Sequence, residues 1–116
     1  MSIPNPGKPV RGSKTGVPIM ALFDLLGRTW AMGVIWQLQN GPFTFRDLQE
    51  KCESISPSIL NSRIKDLKKA GIVERTLDGY QLTKRGDKLI KILRPFGEWS
   101  SEWAKEVFDF TEYNPE

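Results

Sequence analysis

Residues 54–83, SISPSILNSRIKDLKKAGIVERTLDGYQLT, decide the reading of this 116-residue chain. Ser56 stands where a helix N-cap belongs, and Pro57 suits the first helical position, where a missing N–H costs nothing. Leu60, Ile64 and Leu67 follow at i, i+4 and i+7, with Ile59 beside them, which makes one apolar stripe. Gly71 after Ala70 is a C-terminal stop, and Lys68 and Lys69 in the last turn complement the helix dipole. The opposite face carries Ser58, Asn61, Ser62 and Lys65, with Arg63 at its edge. These side chains are short or positively charged, and all can donate hydrogen bonds. No acid occurs on the helix before Asp66. Such a face can approach a polyanion closely, and Asn and Arg can read base edges through paired hydrogen bonds. On a lone helix the same residues would be no more than a solvated surface, so the flanking segments decide.

Ile72, Val73 and the run to Leu77 predict a strand. Asp78-Gly79 predicts a type I′ turn, whose central residues need positive φ. Tyr80, Gln81 and Leu82 return as the partner strand, and Thr83 caps a further helix. A hairpin alone is marginal in water, so this one has to rest on a core. A helix running straight into a short hairpin is the winged-helix arrangement, in which the helix enters the major groove and the wing lies by the backbone or minor groove.

The length suits one domain with a modest core. The formal net charge is only +3, but its distribution is uneven. Residues 63–85 hold seven basic side chains against three acidic, a net of +4, whereas residues 98–116 hold one against six, a net of −5. One end of such a molecule would orient toward phosphate. A single Cys and no His exclude an internal disulfide framework and a His-based metal site. No phosphate-binding glycine loop occurs, and the acids are scattered, so neither catalysis, a metal nor a cofactor is expected. No apolar run reaches membrane-spanning length and no signal-peptide core is present, so a cytoplasmic setting without membrane contact is expected.

Residues 1–17, rich in Pro and Gly with Lys8, Arg11 and Lys14, predict a flexible basic arm. It is either a free tail or an arm that reaches DNA or clasps a partner subunit. Pro18–Leu26 predicts a short helix. Trp30–Leu38 predicts a second, apolar on most sides and therefore central. Asn40-Gly41-Pro42 is a turn, and Phe43-Thr44 is a short strand against the wing. Thr44 then caps a helix from Phe45 to Cys52, with Arg46 and Lys51 outward; Cys52 is either a small buried apolar residue facing the core or a redox-sensing thiol, which would need exposure and a lowered pKa. The segment 44–70 thus reads helix, tight turn, helix, the geometry of a helix-turn-helix reader. After the wing, Lys84–Phe110 is a long helical pattern that Pro95 should kink or break. Its second half sets Phe96, Trp99, Trp103, Val107 and Phe110 in one stripe. That stripe is too large for a terminal helix packed only on its own small domain, so a second copy is the expected cover. Residues 18–110 form the domain, and 111–116 are left as a tail.

These residues together resemble the HxlR family of bacterial and archaeal transcription regulators. The likeness is carried by Leu25-Leu26-Gly27-Arg28-Thr29-Trp30, Ile35-Trp36-Gln37-Leu38, Gly41-Pro42, Phe45-Arg46-Asp47-Leu48 and Ile55-Ser56-Pro57-Ser58-Ile59-Leu60. Further along, Arg63-Ile64-Lys65-Asp66-Leu67, Ala70-Gly71-Ile72-Val73, Tyr80-Gln81-Leu82-Thr83 with Gly86, and Trp99 continue it. The match runs over roughly 18–103. It implies a winged helix-turn-helix dimer, mainly α with a small β-hairpin and related to the MarR type, whose interface is built from N- and C-terminal helices. Ser56, Ser58, Asn61, Ser62 and Arg63 fall on the family's base-reading positions. Arg46, Lys65, Arg75, Lys84 and Arg85 are the candidates for phosphate. Leu22, Phe23, Phe96, Trp99, Trp103, Val107 and Phe110 are the candidates for the dimer interface. Two departures stand out. Val17 occupies the place where the family often has a Cys before the opening proline, and the wing is shorter than usual.

The expected function is a homodimeric, sequence-specific regulator on a pseudo-palindromic duplex site. The alternative is a winged helix serving as a protein–protein or RNA-binding module. A cleft between the long helix and the Trp30–Leu38 helix could take a small apolar effector, although the same aromatics also suffice as core.

Overall fold

Local sequence rules place most of the elements. The computed structural model describes residues 2–111, and in it Ser56 accepts the Ile59 N–H at 3.2 Å and opens a helix at Pro57. Six helices and one antiparallel hairpin follow in the order α1 (Pro18–Leu26), α2 (Ala31–Leu38), α3 (Phe45–Lys51), α4 (Pro57–Lys69), β1 (Val73–Thr76), β2 (Gly79–Leu82), α5 (Lys84–Leu93) and α6 (Pro95–Phe108). Thr44 caps α3 by accepting from Asp47, and Thr83 caps α5 by accepting from Gly86. Gly71, at φ +78, ends α4 as the sequence predicts.

One core holds these elements together. Val34, Ile35 and Leu38 of α2 meet Leu48 and Cys52 from α3 and its end, Leu60, Ile64 and Leu67 of α4, and Ile90 and Leu93 of α5. α2 is central, as its composition predicts, though Met32 and Trp36 leave one side of it exposed. Trp30 does not begin that helix. It stands before it at φ +66, with its ring packed over Gly33, where any Cβ would collide with the indole. α1 and α2 are together long and apolar, but they meet at 86°, and among the described residues no single helix is long and apolar enough to cross a membrane.

The wing pairs Val73 with Leu82 and Thr76 with Gly79. The turn is therefore Leu77-Asp78, neither of which has positive φ, rather than the expected Asp78-Gly79. Gly79 uses its φ of +124 for a tertiary purpose: a Cβ there would run into the Phe43 carbonyl. Phe43 bridges Tyr80 as a third, one-residue strand, with N–H to carbonyl distances of 3.0 and 2.7 Å. Thr76 accepts the Asp78 N–H in place of the positive-φ turn geometry.

The long C-terminal pattern divides at Pro95 into α5 and α6. α6 ends at Phe108, because Asp109 turns to φ +54, so Phe110 lies past the helix rather than on its stripe. The first residues, expected as a flexible arm, form no helix or named strand but lie against the domain. Ile3 packs on the core, Arg11 pairs with Asp24 at 3.2 Å, and Arg28 donates to the Ser2 carbonyl at 3.1 Å. Of the expected tail, 112–116 lie outside the described residues.

Candidate nucleic-acid interface

α4 is anchored by burial of Leu60, Ile64 and Leu67, which leaves Ser58, Asn61, Ser62 and Lys65 exposed on its other side. Ser56 is also exposed, but its hydroxyl is committed to the Ile59 N–H and lies 3.4 Å from the Ser58 hydroxyl. Asn61 and Ser62 make no hydrogen bond to other described side chains, so their full donor and acceptor capacity is available to a ligand.

Arg63 departs from its expected place among the outward readers. Its side chain is only 18% exposed and lies 3.5 Å from the Asp66 carboxylate, one helical turn on. The same carboxylate oxygen accepts from Arg28, at the α1–α2 turn, at 3.0 Å. Asp66 is the one buried charged residue among those described, and two guanidinium groups hold it there. Sequence periodicity put Arg63 at the edge of the polar face. The Arg28 partner, 38 residues away in the chain, tips the balance inward, and no local pattern announces it.

The candidate phosphate contacts surround this face. Arg46 on α3, Lys65 on α4, Arg75 on β1 and Lys84 and Arg85 at the start of α5 are all exposed. Arg75 lies over the ring of Tyr80, its cross-strand partner, at 5.6 Å, which steadies it at the wing. Lys51 lies over Phe43 at 5.4 Å in the same manner.

Cys52 is fully buried, and burial, followed by the negative charge of Glu53, pushes its thiol up. Both effects disfavour the thiolate that oxidants attack. Among the described residues no cluster of three or more His, Cys, Asp or Glu side chains could hold a metal.

The C-terminal helix presents the other notable surface. No residue of α6 is buried. Phe96, Trp99, Trp103 and Val107 are exposed, as is Phe23 on α1. Trp99 and Trp103 stack at 6.2 Å, and Phe108 meets Trp103 edge-on at 5.2 Å. Phe108 thus joins the stripe where Phe110 was expected. Leu22 is half-buried and lines a crevice with Ile3 and Leu89 under the N-terminal segment, so it is not part of the exposed face.

A capped helix with a short polar outward face, preceded by α3 and a tight turn and followed by a two-stranded wing, defines the winged helix-turn-helix class of DNA-binding folds. The chain belongs to the HxlR family: the HxlR-like helix-turn-helix family model matches residues 25–108. The HTH-type transcriptional regulator YodB of Bacillus subtilis is 30% identical over 90 residues, covering 72% of this chain and 80% of YodB. The crystal structure of a possible HxlR family transcriptional factor from Thermoplasma volcanium superposes with a TM-score of 0.67 at 33% identity, covering 76% of this chain and 85% of that one. Quinone-bound YodB superposes with a TM-score of 0.66 at 32% identity, covering 72% of this chain and 96% of that one. The protein is a transcription regulator of the helix-turn-helix type, with a DNA-binding fold.

Proposed function

We propose that the protein acts as a homodimer that recognises a pseudo-palindromic duplex site through α4. The observation that carries this is the outward side of that helix: Ser58, Asn61, Ser62 and Lys65 are exposed, donor-rich and free of acids, on a helix fixed from behind by Leu60, Ile64 and Leu67. Asn61, Ser58 and Ser62, with Ser56 at the helix start, address base edges. Arg46, Lys65, Arg75, Lys84 and Arg85 address phosphates. Arg63 positions α4 through Asp66 rather than reading bases. Two-fold pairing across the exposed aromatic face of α6, with Phe23 alongside, sets the two reading helices about one DNA turn, ~34 Å, apart.

A small apolar effector has a place in this scheme. A cleft of about 760 Å³ between α2 and the α5–α6 junction is lined by Met32, Trp36, Leu93, Phe96 and Gly97. One solved structure of the relative YodB holds a quinone. Among the described residues the lining of this cleft carries no thiol, so a ligand here would be held by packing.

Fluorescence anisotropy with a labelled duplex across a salt series tests the DNA reading. Binding through several phosphates gives a linear fall of log K with log salt. A retained protein or RNA partner with no duplex affinity at low salt would favour the interaction-module alternative and defeat this one.

A further inference from the structure

Five cations converge on a cleft that shares Ser62 and Lys65 with the proposed DNA face but otherwise lies beyond it. It has a volume of about 760 Å³ and lies between the N-terminal segment, the α1–α2 turn and the C-terminal half of α4. Arg11 comes from the segment, Arg28 from the turn, and Arg63, Lys65 and Lys69 from α4. Only Asp24 and Asp66 oppose them in the cleft lining, a net of +3. Asp24 is taken up by Arg11, through its backbone N–H at 3.0 Å and its Nε at 3.2 Å. Asp66 is a single negative charge between two guanidinium groups, so that trio keeps an excess of +1. The Nε–H of Arg63 is buried without an acceptor among the described residues. Lys65 and Lys69 have no ion-pair partner among the described residues. Arg11, Lys65 and Lys69 are exposed, but Arg28 and Arg63 are largely withdrawn from water around one carboxylate, and an anion in the cleft offsets that uncompensated charge.

The location says which anion. Ser58, Ser62, Lys65 and Lys69 are four, three and four residues apart, so they lie along one side of α4. The cleft therefore continues the outward face toward its C-terminal end. At ~1.5 Å per residue, Lys69 is about 16 Å along the helix from Ser58, more than the ~12 Å width of a major groove. If α4 crosses the groove, a duplex seated on Ser58 and Asn61 would bring its backbone toward this cleft.

We propose that the cleft is a second phosphate-binding site, which takes a backbone phosphate of the duplex carried on α4. The inference rests on α4 being the DNA-facing helix. Lys69 supplies a free charge at the mouth, and the Arg28–Asp66–Arg63 trio supplies a fixed positive floor.

The test uses the full chain with Lys69→Gln, which disturbs none of the ion pairs, and Lys91→Gln on α5 as a charge-matched control. On a random duplex, Lys69→Gln should flatten the log K against log salt slope by about 0.9 and weaken binding roughly 5- to 10-fold at 0.1 M salt; Lys91→Gln should change neither. Slopes equal to wild type in a variant that still binds duplex would overturn the second site and leave the α4 reading intact. No duplex binding by wild type at low salt would overturn both. In a second arm, the ¹⁵Nε–¹H resonance of Arg63 is followed with duplex or with inorganic phosphate alone. A shift with duplex supports the proposal. Saturable submillimolar binding of phosphate alone, abolished by Lys69→Gln, would make a free anion the occupant and overturn the assignment to DNA.

Discussion

Trp103→Ala tests the assembly half of the proposed function, and its size can be worked from the structure. Trp103 is 46% exposed in the single chain, and it braces Trp99 by stacking and Phe108 by edge contact. A tryptophan buries on the order of 150–250 Å², so about 100 Å² of this one awaits a partner. At ~25 cal/mol per Å² that is about 2.5 kcal/mol in one protomer, and about 5 kcal/mol for the two copies of a symmetric interface. Area converts to affinity incompletely, because association also costs ordering entropy. A weakening of the dimer by at least about 100-fold is therefore expected. Sedimentation velocity over a dilution series reads it, with far-UV circular dichroism to show that the fold persists. α6 contributes no buried residue to the core, so the variant should remain folded. Wild type that is monomeric at high micromolar concentration, or a variant dimer of unchanged strength, would remove the α6 aromatic face from the interface.

Other outcomes follow from the same geometry. Asn61→Ala should lose roughly 1–3 kcal/mol on a specific site and little on random duplex, measured by competition; equal losses would count against base reading. Gly79→Ala places a methyl against the Phe43 carbonyl at φ +124, and should destabilise the fold by about 2–4 kcal/mol in urea titration through strain and loss of the Phe43–Tyr80 bridge. Thr83→Val removes the α5 cap and the hydrogen bond to the Gly71 carbonyl at 2.6 Å, at a cost of about 1–2 kcal/mol on the same assay. Cys52, with its pKa raised by burial, holds less thiolate than a free thiol at any pH below that pKa; native protein at pH 8 should react with a thiol reagent far more slowly than protein in denaturant. Equal rates would show that the thiol is open to solvent.

Features written locally in the chain were legible before the fold was known. The start of α4 follows from Ser56-Pro57, its stop from Gly71, and the outward residues from the positions of Leu60, Ile64 and Leu67, since each depends only on neighbours within a turn or two. The division at Pro95 is equally local, because proline lacks the N–H that a continuous helix needs. Features set by distant partners were not legible. Arg63 and Asp66 look like ordinary helix-surface charges until Arg28 arrives from the other side of the domain. Gly79 looks like a turn glycine until Phe43 packs against it, after which Leu77 and Asp78 carry the turn. Leu22, expected at the interface, is half-buried beside the N-terminal segment, a placement that helical spacing does not announce. Asp109 stops α6 before Phe110, and Phe108 takes its place beside Trp103, a swap that helical spacing alone does not foresee.

Selection of bound sequences from a pool of random duplexes asks at once whether the outward side of α4 reads bases and whether it does so in pairs. An inverted repeat whose half-sites are centred about one helical turn apart should be enriched, with the enrichment lost in Asn61→Ala. A pool that stays random after repeated rounds at low salt, or one that converges on a single unrepeated half-site, would contradict it.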